Sequence, residues 1–272
     1  MSILPDNHFY WREKDGVRVL VSRLLEDHGF ANGFSTRLGG VSPFPENDLN
    51  LSGYDEDSAE NIAENRRRFL SAIGGSYRLA SCWQVHSSDV RHVRDHEDAA
   101  DGNFRMDALV SGSEGVLLGV KTADCVPVLI GDTRSGAFAA VHAGWRGTVQ
   151  SIVGNAVEKM IAEYGTKTED LVAAIGPAAS GRNYEVGPDV IEAFREQFDR
   201  PEHLFEPTQN GHAKIDLHTA NREQLTRLGV DPERISVSEF CTMERTDLFF
   251  SYRIEKRRYG KTGRLMSVIG RR

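Results

Sequence analysis

The sequence predicts an α+β fold, on three observations. The middle of the chain is dense in β-branched and apolar runs joined by hairpin-type turns. The regular alternation of strand and helix needed for a doubly wound parallel sheet is missing. No internal repeat, low-complexity tract or linker interrupts the order of elements, so strands and helices are expected to share one core, a single domain over residues 1–272.

Taken in order, Arg18 to Leu24 has strand composition, and Gly33 to Ser42 reads as a short strand running into a glycine turn. A loop rich in Pro, Asn and Asp then carries Asn50-Leu51-Ser52. Ser58 can cap a helix whose apolar face is Ile62, Phe69, Leu70 and Ile73, with Gly74-Gly75 stopping it. Leu79 to Val93, Ala108 to Val110 and Gly115 to Ile130 are read as strands from their β-branched and apolar content. Asp132 to Ser135 followed by Gly136 is turn chemistry between Val126 to Ile130 and Ala137 to Val141, which makes a hairpin. Thr148 can cap a helix in which Ile152, Val153, Ala156, Val157, Met160, Ile161 and Tyr164 recur at helical spacing before Gly165. Leu171 to Ile175 reads as a strand, Pro188 to Phe198 as a helix begun by proline, and Asp216 to Leu228 as a helix closed by Gly229. Arg234 to Glu239 and Leu248 to Tyr252 complete the pattern as late strands.

Hydrophobic residues make up 39% of the 272, enough for a substantial core. The formal charge of −7 argues against a broad basic surface for nucleic acid or anionic membrane, and leaves room for a local positive pocket. No stretch has the length of a membrane helix, and Met1 to Tyr10 lacks a basic-then-apolar leader pattern, so a cytoplasmic location is expected. Three cysteines, Cys82, Cys125 and Cys241, are too few and too scattered for a disulfide framework; Cys82 and Cys241 read as packing residues. His92 and His96 have helical spacing but lie among Arg91, Arg94, Asp95, Glu97 and Asp98, which marks a solvated segment.

The hairpin gives Cys125 and His142 a relation that their sequence separation hides. With a two-residue loop at Thr133-Arg134 or a four-residue loop at Asp132 to Ser135 the register is the same, and Cys125 falls directly opposite His142 on one face, where two ligands of one metal ion can meet. A bulge or an odd loop would break that register. Catalytic zinc takes three protein ligands and keeps one position open, so a third ligand is required. His86, in Trp83-Gln84-Val85-His86, lies on an apolar strand-like segment and is the candidate. Singly, each residue has a plain alternative: Cys125 as a small buried hydrophobe, His142 as a strand-end histidine, His86 as a core histidine bonded to Asp89 or solvent.

Lys121-Thr122-Ala123-Asp124-Cys125-Val126-Pro127-Val128-Leu129 and His142-Ala143-Gly144-Trp145-Arg146-Gly147 resemble the multicopper polyphenol oxidase, or laccase-domain, family. Members are also described as purine nucleoside phosphorylases and as a peptidoglycan editing factor. The likeness continues in Gly33 to Ser42, Asn50-Leu51-Ser52, Gln84-Val85-His86, Ile175-Gly176-Pro177, Tyr184 to Gly187 and Phe249 to Arg253, nearly the whole chain in order. The resemblance implies a mixed β-sheet sandwich flanked by helices, layered α/β/β/α. It places the family's zinc ligands on His86, Cys125 and His142, with copper as the other ion. It implies phosphorolysis of adenosine, inosine and methylthioadenosine, and deamination of adenosine.

Four further residues are candidates for that chemistry. Arg146, in a glycine-flanked turn leading into the helix near Thr148, offers bidentate donors for phosphate. Asp124 is the candidate proton shuttle, because the His-x-Glu and Cys-x-x-Cys signature of nucleobase deaminases is absent: Ser87-Ser88 follow His86. Strand alternation turns Asp124 away from a metal that Cys125 faces unless a bulge intervenes. Arg37 beside Gly39-Gly40 and Asn50 are candidate substrate ligands. Phe34, Trp83, Trp145 and Tyr252 offer rings for a purine, with core filling as their plain role.

The expected function is therefore a zinc-dependent purine nucleoside enzyme, with a small-molecule nucleoside and phosphate as its partners and no nucleic acid, membrane or protein partner. The alternatives are a peptidoglycan-precursor editing amidase, a Cys–His hydrolase using Cys125 and His142, a copper-dependent polyphenol oxidase, and a metal-stabilised binding module. The chain has no His-x-His pair of the kind that gathers several coppers in laccases proper.

Overall fold

The computed structural model describes residues 8–44, 48–52 and 57–272. Two six-stranded mixed sheets pack face to face. The first runs in the order Phe9–Lys14, Val17–Ser22, Phe30–Ser35, Leu265–Arg271, Val116–Thr122, Arg78–Ala80. The second runs Ile235–Val237, Leu171–Ile175, Val126–Asp132, Phe138–Ala143, Ala108–Ser111, Val90–His92. Alternation along each strand sorts side chains between layers. Leu109, Leu129, Phe138 and Val172 meet Leu20, Phe30, Phe34 and Leu118 between the sheets. Val126, Val128 and Ile130, on the other face of the second sheet, pack against Ile152, Val157, Phe194 and Leu225 of three helices, Ile152–Tyr164, Pro188–Gln197 and Leu217–Arg227. The outer face of the first sheet, with Val17, Val19, Leu117 and Val268, takes Phe69 and Ile73 of the helix Ala59–Ile73. The layering is α/β/β/α, as expected. A small sheet of Glu185–Val186, Ala213–Ile215 and Phe205–Pro207 lies apart from the two main ones. No helix among the described residues is long and apolar enough to cross a membrane.

Several elements match their sequence signals closely. Ser58 caps the helix Ala59–Ile73 by accepting from the Asn61 N–H, and Gly74 ends it at φ 82°. Asp216 caps Leu217–Arg227 in the same way, through Thr219.

Other expectations are corrected. The apolar run from Gly115 to Ile130 is two strands that belong to different sheets, broken at Ala123 to Cys125 where Asp124 takes φ 84°. Leu79 to Val93 likewise divides into Arg78–Ala80 in one sheet and Val90–His92 in the other, so His86 lies on the crossover and not on a strand. Val116–Thr122 and Val126–Asp132 are buried on both faces and largely apolar, so composition hides the break between them. Leu248 to Tyr252 is not a strand. Leu248, Phe249 and Phe250 are apolar because they fill a satellite core with Leu265, and Tyr252 opens a helix, Tyr252–Tyr259, capped by Ser251. The last strand, Leu265–Arg271, was not expected, yet it joins Phe30–Ser35 to Val116–Thr122.

The hairpin register also differs. Pro127 pairs with His142 and Gly131 with Phe138, so the loop is Thr133 to Gly136, one residue later than expected. Asp132 is the reason: it stays in the strand while its carboxylate accepts from the Arg134 and Ser135 N–H groups (2.9 and 3.1 Å) and the Ser135 hydroxyl (2.6 Å). The two-residue slip keeps His142 on its expected face and loses the direct opposition to Cys125. The helix expected from Thr148 is two helices, Trp145–Val149 and Ile152–Tyr164, separated where Ser151 takes φ 56°. Thr148 is buried and caps nothing; its hydroxyl accepts from Asn221 Nδ2 and its carbonyl from Gln224 Nε2.

The two sheets approach closely at Gly131, where a Cβ would lie 2.4 Å from the Phe30 ring. Gly131→Ala should therefore lower stability by about 1–3 kcal/mol through overpacking. A urea unfolding midpoint unchanged from that of the parent protein would show that the sheets separate there without cost.

Candidate metal centre

The centre is organised by a residue that carries no motif signal in the sequence. Asp107, fully buried, stands just before the strand Ala108–Ser111. Its carboxylate accepts from three successive backbone N–H groups, Val85 (3.0 Å), His86 (3.0 Å) and Ser87 (2.7 Å), and from the Ser87 hydroxyl (3.0 Å). The loop can wrap a carboxylate this way because His86 takes φ 59°, which turns consecutive N–H groups toward one anion. Burial alone would raise the Asp107 pKa. The bond and charge of His142 and the N–H groups of Ser87 and Val85 outweigh it and bring the carboxyl down to about 2.

The same carboxylate fixes the second ligand. His142 Nδ1 lies 2.7 Å from Asp107 Oδ1, and its backbone N–H donates to the Asp107 carbonyl (2.8 Å). An ionised carboxylate only accepts, so Nδ1 carries the hydrogen and Nε2 is left as the metal donor. His86, Cys125 and His142 then offer ligand atoms that all lie within 4.8 Å of one another. The His86 and His142 rings are 4.9 Å apart at 66°. Tetrahedral zinc with bonds of about 2.0–2.3 Å would hold such atoms about 3.3–3.6 Å apart, so modest inward movement completes a three-donor site with one open position. Burial raises the Cys125 thiol, but the charge of His142 and hydrogen bonds from His142 and His86 draw its pKa below the usual thiol value. His142, penalised by burial, is raised by Cys125 and Asp107. Both shifts favour the thiolate that a metal ligand must be. Gly144 leaves the room: a Cβ there would stand 2.8 Å from His86 Nδ1 and 3.2 Å from Cys125 Sγ.

The three donors lie in the lining of a cavity of about 430 Å³. Arg146, expected for phosphate, lines it and is exposed, its guanidinium 4.3 Å from the centre of the Trp145 ring. Asp124 lines it too, at the positive-φ corner that lets Cys125 face the donors. Its carboxylate accepts from Thr242 Oγ1 (2.7 Å), Ser251 Oγ (3.0 Å) and the Arg253 N–H (2.7 Å), so it anchors the start of the helix Tyr252–Tyr259. Arg37 and Asn50 are not among the lining residues. Arg37 is buried in a bidentate pair with Asp48 (3.0 and 2.7 Å) and a second pair with Glu255 (2.7 Å). Asn50 Oδ1 accepts from the Arg264 N–H (2.9 Å). Of the four candidate rings, Trp145 and Tyr252 line the cavity, Phe34 is core, and Trp83 is exposed elsewhere. Sequence reasoning missed Lys121, Tyr184, Arg253 and Arg264 as lining residues; the first three stand in the motifs quoted above and Arg264 in none, and only the tertiary fold gathers them.

A family model described as "Multi-copper polyphenol oxidoreductase laccase" matches residues 31–272. A Deinococcus radiodurans protein named purine nucleoside phosphorylase is 41% identical over 87% of this chain and 87% of its own length. A Bacteroides thetaiotaomicron protein of the same name is 37% identical over 86% of this chain and 89% of its own. The crystal structure of YlmD from Geobacillus stearothermophilus superposes with a TM-score of 0.89 at 32% identity, covering 98% of this chain and 100% of that one.

Asp107→Asn removes the charge that orders both the loop and His142. Metal affinity should fall by about 10- to 100-fold. Because the folded-state pKa of Asp107 is depressed, its stabilisation is complete above about pH 4 and is lost as the pH falls toward 2. The stability gap between the parent and the variant should close over that window. Equal zinc affinity in the two proteins would show that Asp107 does not orient the ligands.

Proposed function

The chain belongs to the multi-copper polyphenol oxidoreductase laccase family, and from that premise and the chemistry of the cavity we propose that it is a zinc-dependent purine nucleoside phosphorylase. The observation that carries this reading is the convergence of His86, Cys125 and His142 on one point inside a cavity also lined by Lys121, Arg146, Arg253 and Arg264. The names of the relatives above support it. Adenosine, inosine and methylthioadenosine are the proposed substrates, with deamination of adenosine as a second reaction and a cytoplasmic setting.

In this reading the residues divide the work by chemistry. Arg146 presents a fork of donors to inorganic phosphate. Tyr184, Tyr252 and Trp145 offer ring faces to a purine. Phosphate replaces the base at the anomeric carbon: the new C–O bond forms as the glycosidic C–N bond breaks, and the base nitrogen retains the electron pair. Two imidazoles and a thiolate with one position open suit zinc, which when bound supplies Lewis-acid stabilisation of developing negative charge. Asp107 holds His142 in the tautomer that donates Nε2. Asp124 acts as a positioning residue, because its oxygens already serve three donors that fix the corner at Cys125 and the start of the helix bearing Tyr252 and Arg253.

Zinc-loaded protein given inosine and phosphate should release hypoxanthine and ribose 1-phosphate, lose that activity on chelation and recover it with zinc. His86→Ala should abolish turnover while the fold, read by circular dichroism, persists. Arg146→Ala should raise the KM for phosphate by about 10- to 100-fold, the value of a lost charge-assisted pair. No phosphate-dependent release of base from adenosine, inosine or methylthioadenosine, beside an active control phosphorylase, would overturn the proposal. So would stoichiometric copper with phenol oxidation in place of zinc.

A further inference from the structure

A second cavity, of about 660 Å³, shares no lining residue with the metal centre. Its walls are the loop after the strand Leu171–Ile175, the small three-stranded sheet, the start of the helix Leu217–Arg227, and the end of the strand Ile235–Val237. At the helix start, forming part of the wall, stands His218, with an exposure of only 8%. Its Nε2 lies 3.1 Å from the Gly176 carbonyl, which can only accept, so Nε2 carries the hydrogen. Burial lowers the His218 pKa and keeps the ring neutral at pH 7. Nδ1 is left as an acceptor with no hydrogen-bond partner among the described residues. Such an acceptor in the wall of a cavity is a place for an O–H or N–H of a ligand.

The groups beside His218 sort into acceptors and donors. Asp216 caps the helix by accepting from the Thr219 N–H (3.0 Å) and hydroxyl (2.8 Å), which leaves a lone pair on each oxygen. Glu239 lines the cavity, is exposed, and has no ion-pair partner among the described residues. These acceptors stand on two separate segments. They suit donors spread over a ligand, as hydroxyl groups around a sugar are, and not the N–H bonds of one ammonium nitrogen; a bare anion would meet them unfavourably. On the donor side Arg222 makes one bond, from Nη2 to the Pro232 carbonyl at 3.4 Å, and has no carboxylate partner among the described residues. Lys214 Nζ is 3.8 Å from Glu206 across the small sheet, a loose pair at the surface. A guanidinium fork and an ammonium point charge together match a phosphate. Arg182 is already forked onto Glu244 (3.4 and 3.3 Å).

We propose that this cavity is a binding site for a sugar monophosphate, whose hydroxyl groups donate to His218 Nδ1, Asp216 and Glu239 and whose phosphate is held by Arg222 and Lys214. The site lies apart from the metal centre and does not depend on the phosphorylase reading. The two cavities are neighbours along the chain. Ser180 lines this one, and its carbonyl accepts from the Asn183 and Tyr184 N–H groups (2.9 and 3.0 Å), while Tyr184 lines the metal cavity. A ligand here therefore borders the metal cavity without entering it.

The test is titration calorimetry of the full-length, zinc-loaded protein with ribose 5-phosphate, glucose 6-phosphate, ribose and inorganic phosphate. At least one of the two sugar phosphates should bind about 10- to 100-fold more tightly than ribose or inorganic phosphate, the value of combining charge-assisted bonds to the phosphate with those to the hydroxyls. Arg222→Gln and Glu239→Gln, both at the surface, should each weaken that binding by about 10-fold. The same site should persist in Arg146→Ala, whose change lies in the metal cavity. With nitrogen-15 labelling, the His218 Nδ1 resonance should move upfield as the sugar phosphate is added, because that nitrogen then accepts a bond; a histidine that only packs would not respond. Binding that is lost in Arg146→Ala and kept in Arg222→Gln and Glu239→Gln would put the ligand in the metal cavity and overturn the proposal. Equal affinity for inorganic phosphate would reduce the site to a bare anion hole, and tighter binding of glutamate would make it a zwitterion site; either result overturns it. So would the absence of both heat and a His218 shift with the two sugar phosphates.

Discussion

One buried carboxylate holds the centre of this protein together. Asp107 has no exposure to water, and a carboxylate in that position is tolerable only if its lone pairs are fully used. They are used by the Val85, His86 and Ser87 N–H groups and by His142 Nδ1. One side chain therefore sets the path of the loop that carries His86 and the ring orientation and tautomer of His142. Removing it would leave three inward N–H groups and an imidazole without an acceptor, which is why its effects reach both folding and ligand geometry.

The location of the centre follows from how the sheets are connected. The chain crosses from one sheet to the other twice near this point, between Ala80 and Val90 and between Thr122 and Val126. The first crossover carries His86 and the second Cys125, while His142 comes from the penultimate position of the strand Phe138–Ala143. Crossovers are where backbone leaves the ladder, and there positive-φ residues such as His86 and Asp124 can turn a side chain inward that a regular strand would aim elsewhere. A second charged assembly steadies the neighbouring wall. Arg37, paired with Asp48 and Glu255, ties the end of the strand Phe30–Ser35 to the helix Tyr252–Tyr259. Breaking a buried pair of this kind costs about 3–5 kcal/mol because a charge is left unmatched, so Arg37 is a strong tie between that strand end and the helix.

Much of the layering was legible because it depends on local pattern. The capped helix after Ser58 and the strand Leu171–Ile175 are short-range signals with short-range causes. The hairpin was legible in kind but not in register, since Asp132 chose its turn through side-chain bonds that composition does not reveal. The final strand escaped notice because its neighbours, Phe30–Ser35 and Val116–Thr122, lie far away in sequence. The candidate metal donors do converge as a set, yet the direct opposition of Cys125 and His142 that motivated them is replaced by a corner and a slipped register.

Sequence by itself determined the residue types able to bind a cation, the capped helices after Ser58 and Asp216, and the kinship of the long motifs around Cys125 and His142. Chemistry of that sort is a property of individual side chains and short segments. Tertiary structure alone decided that Asp107 is the organiser, that Asp124 is an anchor, that Arg37 is a strut, and that Arg253 and Arg264 join Arg146 around one cavity. Those roles depend on what faces each group across the fold. The free energy of a buried charge or a positive-φ turn is set by partners drawn from every part of the chain, and only the assembled molecule brings them within hydrogen-bond distance.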